Sequence, residues 1–260
     1  MSMKSLFDVQ GKVAVVTGGS SGIGAMMARG LIENGARVYI TARKEERLMA
    51  MAAELSEMGE CIAIRADLSK VEGIAALVAA IGEREEKIDI LINNAGANWS
   101  ASIEDFPESG WDKVMDINIK SIFFATQKFL PLLKASGSAD EPARVVNIAS
   151  INGIRNSGMP TYAYTASKSG VIKLTEHLAT DLAQYNINVN AIAPGLFPSN
   201  MTKQIVENDG MTKMALSQIP RGRMGAPEDI AGTALYLCSR ASSWMIGQTL
   251  ALDGGMIARP

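Results

Sequence analysis

The sequence contains few of the residues that hold metals or cross-link chains. It has one histidine, His177, and two cysteines, Cys61 and Cys238. A single histidine gives neither a histidine-based catalytic triad nor a multi-histidine metal site. The cysteines are far apart, with no metal-ligand spacing, and such residues usually serve as small buried side chains. We therefore predict that the chain binds no metal.

Excess charge of either sign is also lacking. The 25 Lys and Arg residues against 27 Asp and Glu residues give a net charge of -2. Nucleic-acid-binding proteins usually carry a concentrated basic surface, so a nucleic-acid partner is not expected. No apolar run reaches the roughly 18 residues of a membrane span, and residues 1–10 lack the apolar core of a signal peptide. We predict a cytoplasmic protein without a membrane partner.

Short apolar runs alternate with longer helical segments along the chain. The predicted strands are 13–16, 38–40, 61–64, 88–92, 145–148, 187–192 and 249–252. Both faces of these runs are apolar, as in strands covered by helices on both sides. The predicted helices are 23–34, 45–57, 71–84, 110–135, 162–185 and 227–239. This alternation predicts an α/β fold in which one domain, residues 1–260, holds a doubly wound parallel sheet.

Residues 194–218 break the alternation, because this long segment carries two prolines, three methionines and mixed charge after a predicted strand. In open α/β sheets, ligands bind outside the carboxyl ends of the strands. We therefore predict that residues 194–218 form a substrate lid.

A glycine-rich segment, Thr17 to Gly24, follows the first predicted strand. Its glycines allow a tight turn and a close approach of the backbone to a pyrophosphate, and the following helix offers free N–H groups to phosphates. The position at the first strand–helix turn predicts a dinucleotide site. Its predicted contact residues are Gly18, Ser20, Ser21, Gly22, Ile23 and Gly24.

The end of the second strand distinguishes the two pyridine dinucleotides. NAD-binding proteins usually place an acidic residue there to hold the adenosine ribose, but this chain has Ala42 followed by Arg43. Arg43 can pair with a 2′-phosphate, which a carboxylate would repel. Arg47 lies one helical turn further and could assist. The pattern predicts NADP(H) as cofactor, with NAD(H) as the alternative.

Polar residues also follow the third and fourth strands. Asp67, with Leu68 beside it, either accepts the adenine amino group or caps the next helix. Asn94, Ala95 and Gly96 follow the fourth strand, where a side-chain amide and small residues can lie along the cofactor. We predict that all five contact the dinucleotide.

Tyr164 and Lys168 stand four residues apart at the start of a long predicted helix. This spacing places a phenol and an ammonium on one face of the helix. A free tyrosine has a pKa near about 10 and exchanges protons poorly at neutral pH. A neighbouring lysine cation and an oxidised nicotinamide favour the phenolate, so we predict a proton-transferring pair.

Together these motifs resemble the short-chain dehydrogenase/reductase family over essentially the full length of the chain. The matching residues are Thr17 to Gly24, Asp67, Asn93 to Gly96, Asn118, Ser150, Tyr164 to Lys168, and Pro194 with Gly195. The resemblance implies a Rossmann-like sheet of seven parallel strands ordered 3-2-1-4-5-6-7. It also implies a homotetramer (or a homodimer) built through the two long central helices.

The resemblance assigns roles to four catalytic residues. Tyr164 protonates the carbonyl oxygen of the substrate as the nicotinamide hydride arrives, and Ser150 polarises that carbonyl. Lys168 holds the nicotinamide ribose and lowers the pKa of the tyrosine, while Asn118 holds a water that links Lys168 to solvent. The residues placed at the nicotinamide end of the cofactor are Tyr164, Lys168, Pro194, Gly195 and Thr202.

Within the family the chain is similar to 3-oxoacyl-thioester reductases, especially the rhamnolipid-pathway type, through residues 98–100, 141–145 and 195–202. The function implied is NADP(H)-dependent reduction of a ketone such as a 3-oxoacyl thioester. Dehydrogenation of another secondary alcohol (steroid, sugar or xenobiotic) and a non-catalytic dinucleotide sensor stay open as alternatives. Members that dock acyl carrier protein tend to carry an arginine where Tyr185 and Asn186 stand here, so a coenzyme A thioester is a further alternative.

Two features bear on the substrate pocket without deciding it. Trp99 follows the fourth-strand motif and either borders the pocket or packs in the core. Four methionines would suit a pocket for a flexible acyl chain or would simply fill the core; they are Met159, Met201, Met211 and Met214.

Overall fold

Seven parallel strands form one sheet in the computed structural model, which describes residues 3–156 and 158–259. The strands are β1 (Val13–Thr17), β2 (Arg37–Ala42), β3 (Cys61–Arg65), β4 (Ile90–Asn93), β5 (Ala143–Ile148), β6 (Ile187–Pro194) and β7 (Thr249–Leu252). Their order across the sheet is β3-β2-β1-β4-β5-β6-β7, and every pairing is parallel. The predicted fold and strand order are confirmed.

Helices connect the strands and cover both faces of the sheet. They are α1 (Met3–Leu6), α2 (Gly22–Glu33), α3 (Glu45–Ser56), α4 (Val71–Gly82), α5 (Glu108–Met115), α6 (Ser121–Ser136), α7 (Tyr162–Leu182), α8 (Lys203–Val206), α9 (Asp209–Ser217) and α10 (Pro227–Cys238). One core contains α2, α3 and α10, and the other contains α4, α6 and α7. All residues of β5 and β6 are buried. The two buried amides of β6, Asn188 and Asn190, donate to the carbonyls of Ser243 (2.9 Å) and Met245 (2.8 Å).

The strand order changes direction at β1, because β1 pairs with β2 on one side and with β4 on the other. Chain segments leaving β1 and β4 therefore diverge, and a crevice opens at the carboxyl ends of these strands. The residues predicted to bind a dinucleotide follow β1, β2, β3 and β4. The topology thus brings them to one edge of the sheet.

Several predicted boundaries differ from the structure. The helix predicted at 110–135 is two helices, α5 and α6, joined by a π-helical turn at Asp116–Lys120; such turns widen a helix and often lie at functional sites. The helix predicted to end at 185 ends at Leu182 and tightens into a 3₁₀ turn. The fourth strand begins at Ile90 rather than at 88. The segment predicted as a lid contains two short helices, α8 and α9.

The described residues contain no helix long and apolar enough to cross a membrane. Nor do they contain a group of three or more His, Cys, Asp or Glu side chains able to hold a metal ion. Both cysteines are free, Cys61 half-buried and Cys238 buried. Burial raises the pKa of the Cys61 thiol to about 11 and that of Cys238 to about 12, as expected of small packing side chains.

A buried arginine, Arg144 in β5, joins the sheet to the end of α10. Its guanidinium donates to the Ser239 carbonyl from Nε (3.3 Å) and Nη2 (3.0 Å), to the Pro142 carbonyl (2.8 Å) and to the Ser243 hydroxyl (3.0 Å). Ser239 is the C-terminal cap of α10, so the cation also meets the negative end of the helix dipole.

We expect Arg144→Met to lower the free energy of unfolding by roughly 3 kcal/mol, because buried carbonyl acceptors lose their donors. Urea denaturation of the purified protein measures the change. Arg84→Met is the matched control, because Arg84 is exposed and its substitution should change little. Equal midpoints for the wild type and the Arg144 variant would contradict the prediction.

Candidate active site

The turn after β1 is shaped by glycine and fastened to the end of β4. A side chain at Gly24 would place its Cβ 2.4 Å from Asn94 Nδ2 and 2.5 Å from the Gly18 carbonyl oxygen, so only glycine fits there. Thr17 Oγ1 accepts from the backbone N–H groups of Asn94 (2.8 Å) and Ala95 (2.9 Å). Asn94 Nδ2 donates to the carbonyls of Thr17 (2.8 Å) and Gly18 (3.2 Å). Asn94 therefore braces the turn as well as lining the cleft.

A cleft of about 430 Å³ lies over this turn at the carboxyl edge of the sheet. The N-terminus of α2 opens into it, and Ser21, the cap of α2, makes no side-chain capping bond; the free N–H groups there suit a phosphate. Ser20 is buried. The cleft is lined by Gly18, Ser21, Gly22, Ile23, Gly24, Asn94, Ala95, Gly96, Ala97, Asn98, Ile148, Ala149, Ser150, Tyr164, Lys168, Pro194, Gly195, Phe197, Ser199, Asn200, Met201 and Thr202.

A second cavity of about 320 Å³ lies over the ends of β2 and β3. Its lining shares Gly18, Ala95, Gly96 and Ala97 with the cleft, so the two volumes adjoin along the switch point. Together they can hold an extended ligand whose phosphates lie at the glycine turn. The remaining lining residues of the second cavity are Ala42, Arg43, Ala66, Leu68, Ser69, Lys113, Asp116 and Ile117.

Asp67 forms a turn beside the second cavity and does not cap the next helix. Its Oδ1 accepts from the Ser69 backbone N–H (3.1 Å) and hydroxyl (2.8 Å). Burial opposes ionisation, but these hydrogen bonds and the nearby Arg43 charge together lower the pKa of Asp67. The carboxylate is therefore ionised at neutral pH, and its contact with adenine stays a prediction.

The predicted catalytic side chains meet at the inner end of the cleft. Ser150 follows β5, and Tyr164 and Lys168 lie one turn apart in α7. The Tyr164 phenol lies near enough to the Ser150 hydroxyl for hydrogen bonding to oppose the rise of its pKa. Lys168 Nζ donates to the Ile148 carbonyl (2.6 Å) and lies 5.7 Å from the centre of the Tyr164 ring. Ser150 and Lys168 are buried, so their polar groups act in a poorly solvated site.

The pKa of the tyrosine is set by two opposing effects. Burial raises the pKa of Tyr164, and the hydrogen bond with Ser150 opposes this shift. In the protein alone, burial outweighs this hydrogen bond and also lowers the pKa of Lys168 to about 8. The lowering predicted for the tyrosine beside Lys168 and an oxidised nicotinamide stays a prediction. At neutral pH the phenol is protonated, which is the form that donates a proton.

Because Lys168 is buried as a cation, we expect Lys168→Met to raise the free energy of unfolding at pH 7. The folded chain binds this proton with a pKa of about 8, against the ordinary 10.5 of the unfolded chain. Below the folded pKa both states carry the charge and the burial cost is fully present; between the two pKa values the wild type becomes more stable as pH rises. Removing the buried charge raises the free energy of unfolding, whereas loss of the Lys168 hydrogen bond lowers it by about 1 kcal/mol. The expected net gain is about 2 kcal/mol.

Urea denaturation of the wild type and the Lys168 variant at neutral and at strongly alkaline pH tests this expectation. The gain should be present at pH 7 and should shrink as the pH approaches the ordinary lysine pKa. Lys173→Met is the matched control, because Lys173 lies exposed on the same helix. A gain that does not depend on pH would show that burial of the charge is not its cause.

Asn118 lies in the π-helical turn and is fully buried. Its Oδ1 accepts from the Ala97 backbone N–H (2.7 Å), and its Nδ2 donates to the Ala97 carbonyl (3.0 Å) and to Ser167 Oγ (3.0 Å). Both side-chain donors are thus taken by protein atoms. A water that contacts Asn118 could therefore hydrogen-bond only to its backbone carbonyl or to the second lone pair of Oδ1.

The sequence analysis missed Ser167. Its hydroxyl donates to the Tyr164 carbonyl (2.7 Å) and accepts from Asn118, and the residue is fully buried. Asn118 and Ser167 therefore fix the first turn of α7, and with it the position of the Tyr164 backbone. In the sequence, the only sign of this role is that a small polar residue stands directly before Lys168.

The lid closes over the glycine turn. A Cβ placed on Gly22 would lie 3.2 Å from Ser199 Cβ. Thr202 Oγ1 donates to the Phe197 carbonyl (2.7 Å) and accepts from the Ser199 N–H (2.9 Å), which folds this part of the lid against the cleft. Pro194 and Gly195 line the cleft at the end of β6, as predicted for the nicotinamide end.

The structure also decides most of the open questions about the pocket. The Trp99 ring packs on Gly110, where a Cβ would lie 2.8 Å from three ring atoms, and beneath the Lys113 ammonium. Trp99 thus braces the loop after β4, and its neighbour Asn98 lines the cleft instead. All four methionines named above are exposed rather than packed in the core, and Met201 also lines the cleft.

A glycine turn at the switch point of a parallel sheet, with a serine, a tyrosine and a lysine together in the adjoining cleft, defines an oxidoreductase of the short-chain type. The family model described as "Enoyl-(Acyl carrier protein) reductase" matches residues 18–257. The chain belongs to the short-chain dehydrogenase/reductase family.

Individual relatives act on different substrates. The chain is 47% identical over 253 residues to a rhamnolipid-biosynthesis 3-oxoacyl-[acyl-carrier-protein] reductase of Pseudomonas aeruginosa, covering 97% of this chain and 99% of the relative. It is 40% identical over 258 residues to a 2-dehydro-3-deoxy-D-gluconate 5-dehydrogenase of Dickeya dadantii, covering 97% and 98%. Among solved structures, the Pseudomonas aeruginosa RhlG/NADP active-site complex superposes with a TM-score of 0.95 at 46% identity, covering 98% of this chain and 99% of that one.

Proposed function

We propose that the protein is an NADP(H)-dependent reductase of a ketone, with a 3-oxoacyl thioester as the preferred substrate. The observation that carries the proposal is that Ser150, Tyr164 and Lys168 line the inner end of one cleft, with Lys168 Nζ 5.7 Å from the centre of the Tyr164 ring. A hydroxyl pair of this kind can polarise a carbonyl oxygen and deliver a proton to it.

The residues present fit a dinucleotide. The glycine turn leaves no room for a Cβ at Gly24, the N-terminus of α2 faces the cleft, and the two adjoining cavities suit an extended ligand. The residues that would hold it are Gly18, Ser20, Ser21, Gly22, Ile23, Gly24, Arg43, Asp67, Leu68, Asn94, Ala95, Gly96, Tyr164, Lys168, Pro194, Gly195 and Thr202. The bound cofactor supplies the hydride.

The chain's own residues carry the proton. Ser150 donates to the substrate oxygen and fixes the carbonyl next to Tyr164, whose raised pKa keeps the phenol protonated. The phenol O–H bond then breaks and the proton passes to the carbonyl oxygen. The Lys168 ammonium, close to the ring, stabilises the phenolate that remains. Because this order of events starts from a protonated tyrosine, the site favours reduction at neutral pH.

The cofactor preference rests on Arg43. This residue is exposed and lines the second cavity beyond Ala42, where no carboxylate precedes it at the end of β2. The RhlG neighbour was solved with NADP, which supports the proposal by similarity.

We expect Arg43→Ala to weaken NADPH binding about 10- to 100-fold, the usual effect of losing a charge-assisted phosphate contact. NADH binding should change little, because NADH lacks the 2′-phosphate. Fluorescence titration with each cofactor gives the dissociation constants. Arg84→Ala is the control, since Arg84 follows α4 and precedes β4 at the opposite edge of the sheet. Equal weakening of both cofactors would refute the NADP(H) preference.

The lining of the cleft supports a 3-oxoacyl thioester, because its exposed surface is more apolar than polar and includes Phe197 and Met201. Such side chains suit an acyl chain. A keto sugar acid is the second candidate. The amides of Asn98 and Asn200 also line the cleft, and relatives such as that of Dickeya dadantii act on sugar acids.

A substrate panel separates these candidates. NADPH consumption would be followed with 3-oxoacyl-coenzyme A thioesters of increasing chain length, a keto sugar acid, a steroid ketone and an enoyl-coenzyme A. The proposal expects kcat/KM to rise with acyl chain length and to be low for the enoyl thioester, because ketone reduction adds the hydride to the same carbon whose oxygen Ser150 and Tyr164 would contact, and an enoyl thioester takes the hydride at a C=C carbon instead. Highest turnover of the sugar acid would favour the second candidate. No turnover of any ketone would favour a dinucleotide sensor, which the presence of Tyr164 and Lys168 argues against.

We also propose that the protein forms a homotetramer (or a homodimer) through α6 and α7. Trp111 of α5 and Phe123 of α6 are exposed apolar side chains of the single chain, and a second copy could cover them. Light scattering on the purified protein tests the assembly, and a monomer would contradict it.

A further inference from the structure

Arg65, the last residue of β3, lies beside the predicted 2′-phosphate residue although no motif includes it. In the parallel register of β2 and β3, Arg65 is the partner of Ala42, so it stands next to the residue that precedes Arg43. Its Nε donates to the Arg43 carbonyl (3.2 Å). The side chain is exposed, and one bond from Nε leaves its other guanidinium N–H groups available.

Arg65 directly precedes a residue that lines the same cavity as Arg43. Arg43 lines the cavity over the ends of β2 and β3, together with Ala66, the neighbour of Arg65. Ala66 donates its N–H to the Ala42 carbonyl (3.2 Å), which keeps the two strand ends in register beyond the last paired residues. The backbone between the arginines is therefore fixed by two hydrogen bonds, and their positions relative to each other do not depend on a flexible loop.

The Asp67 carboxylate alone does not neutralise the positive charge at the ends of β2 and β3. Asp67 is close enough to Arg43 for the arginine charge to lower its pKa, yet its Oδ1 is used by Ser69. Arg43 and Lys70 act on the Asp67 carboxylate, and Arg65, bonded to the Arg43 carbonyl, adds a further cation at the strand ends. A phosphate monoester carries a charge of about -1.5 to -2 at pH 7 and offers three acceptor oxygens, so it matches two cations better than one.

We propose that Arg65 is a second specificity-determining residue for the cofactor, and that its guanidinium contacts the 2′-phosphate of NADP(H) together with Arg43. This inference rests on the proposed NADP(H) preference. Arg43 supplies the cation at the end of β2, and Arg65 supplies a second one from β3. The hydrogen bond from Nε orients the Arg65 guanidinium toward the same phosphate.

Arg65→Gln tests the contact, because glutamine removes the charge but can still donate to the Arg43 carbonyl. The dissociation constants of NADPH, NADH and adenosine 2′,5′-bisphosphate would be measured by titration for the wild type and for Arg65→Gln, Arg65→Lys, Arg43→Ala and Arg84→Ala. We expect Arg65→Gln to weaken NADPH and the bisphosphate about 10-fold or more. NADH binding should stay close to wild type, Arg65→Lys should restore much of the loss, and Arg84→Ala should change no constant.

The salt dependence of NADPH binding provides a second readout. Loss of a phosphate-contacting cation should make the dissociation constant less sensitive to ionic strength, whereas loss of a backbone brace should not. Equal weakening of NADPH and NADH by Arg65→Gln would overturn the inference and leave Arg65 as a brace of the Arg43 peptide. If Arg65→Gln had no effect while Arg43→Ala clearly weakened NADPH binding, the inference about Arg65 would be overturned and the proposed cofactor preference would stand. No effect of either variant would overturn the proposed cofactor preference and the inference with it.

Discussion

Tyr164→Phe should lower kcat by about 10²- to 10⁴-fold, the range expected when a positioned general acid is removed. Phenylalanine keeps the ring and loses only the phenol oxygen, which is the group hydrogen-bonded to Ser150. The cofactor residues at the glycine turn and the N-terminus of α2 are unchanged. NADPH should therefore still bind and still raise the melting temperature of the variant.

Steady-state kinetics with the best ketone of the panel, together with thermal melting with and without NADPH, measure both effects. Tyr162→Phe is the matched control, because Tyr162 lies in the first turn of the same helix, where it is exposed and its ring packs edge-on against Phe106. That variant should keep its activity. Unaltered turnover in Tyr164→Phe would remove Tyr164 from the mechanism, and loss of the NADPH-induced shift would mean that the phenol serves cofactor binding.

Ser150→Ala should lower kcat by about 10²- to 10³-fold, because the substrate oxygen loses a fixed donor in a poorly solvated site. The substitution also removes the hydrogen bond that opposes the raised pKa of Tyr164. The phenol then becomes a weaker acid and transfers its proton less readily. KM should change less than kcat, because the lost donor acts mainly on the charge that develops during hydride transfer.

The structure offers a close control for this variant. Ser169 donates to the Gly153 carbonyl (3.0 Å), so Ser169→Ala removes a hydroxyl from the same turn region without touching the cleft residues. Ser150→Ala also removes the acceptor for the Asn152 N–H (3.2 Å), and thermal melting shows whether the turn survives. A loss of kcat in Ser169→Ala as large as in Ser150→Ala would assign the effect to the turn rather than to the Ser150 hydroxyl.

Local patterns in the chain were sufficient to predict the fold and most of the site. Runs that are apolar on both faces are typical of strands with helices packed on both sides. The positions of such runs in the sequence therefore predicted the seven strands. The glycine turn and the Tyr164–Lys168 spacing depend on neighbours close in sequence. Such short-range geometry can be read directly from residue order, and the structure places these residues along one cleft.

Several features depended on residues far apart in the chain. The π-helical turn around Asn118 exists because this side chain reaches Ala97 and Ser167, which no local preference for helix reveals. The packing of Trp99 on Gly110 likewise joins two segments that only the fold brings together. The position of Arg65 beside Arg43 follows from the register of β2 and β3.

The sequence by itself determined the class of fold and the dinucleotide motif, and it predicted Tyr164 as the acid with Lys168 as its partner. Only the tertiary structure decided their protonation. Burial, which depends on the whole surrounding core, raises the pKa of Tyr164 and lowers that of Lys168, whereas residue order predicts only which charges are neighbours. The cost of desolvating a group is set by everything packed around it, and for that reason the directions of these two pKa shifts could not be predicted from the motif.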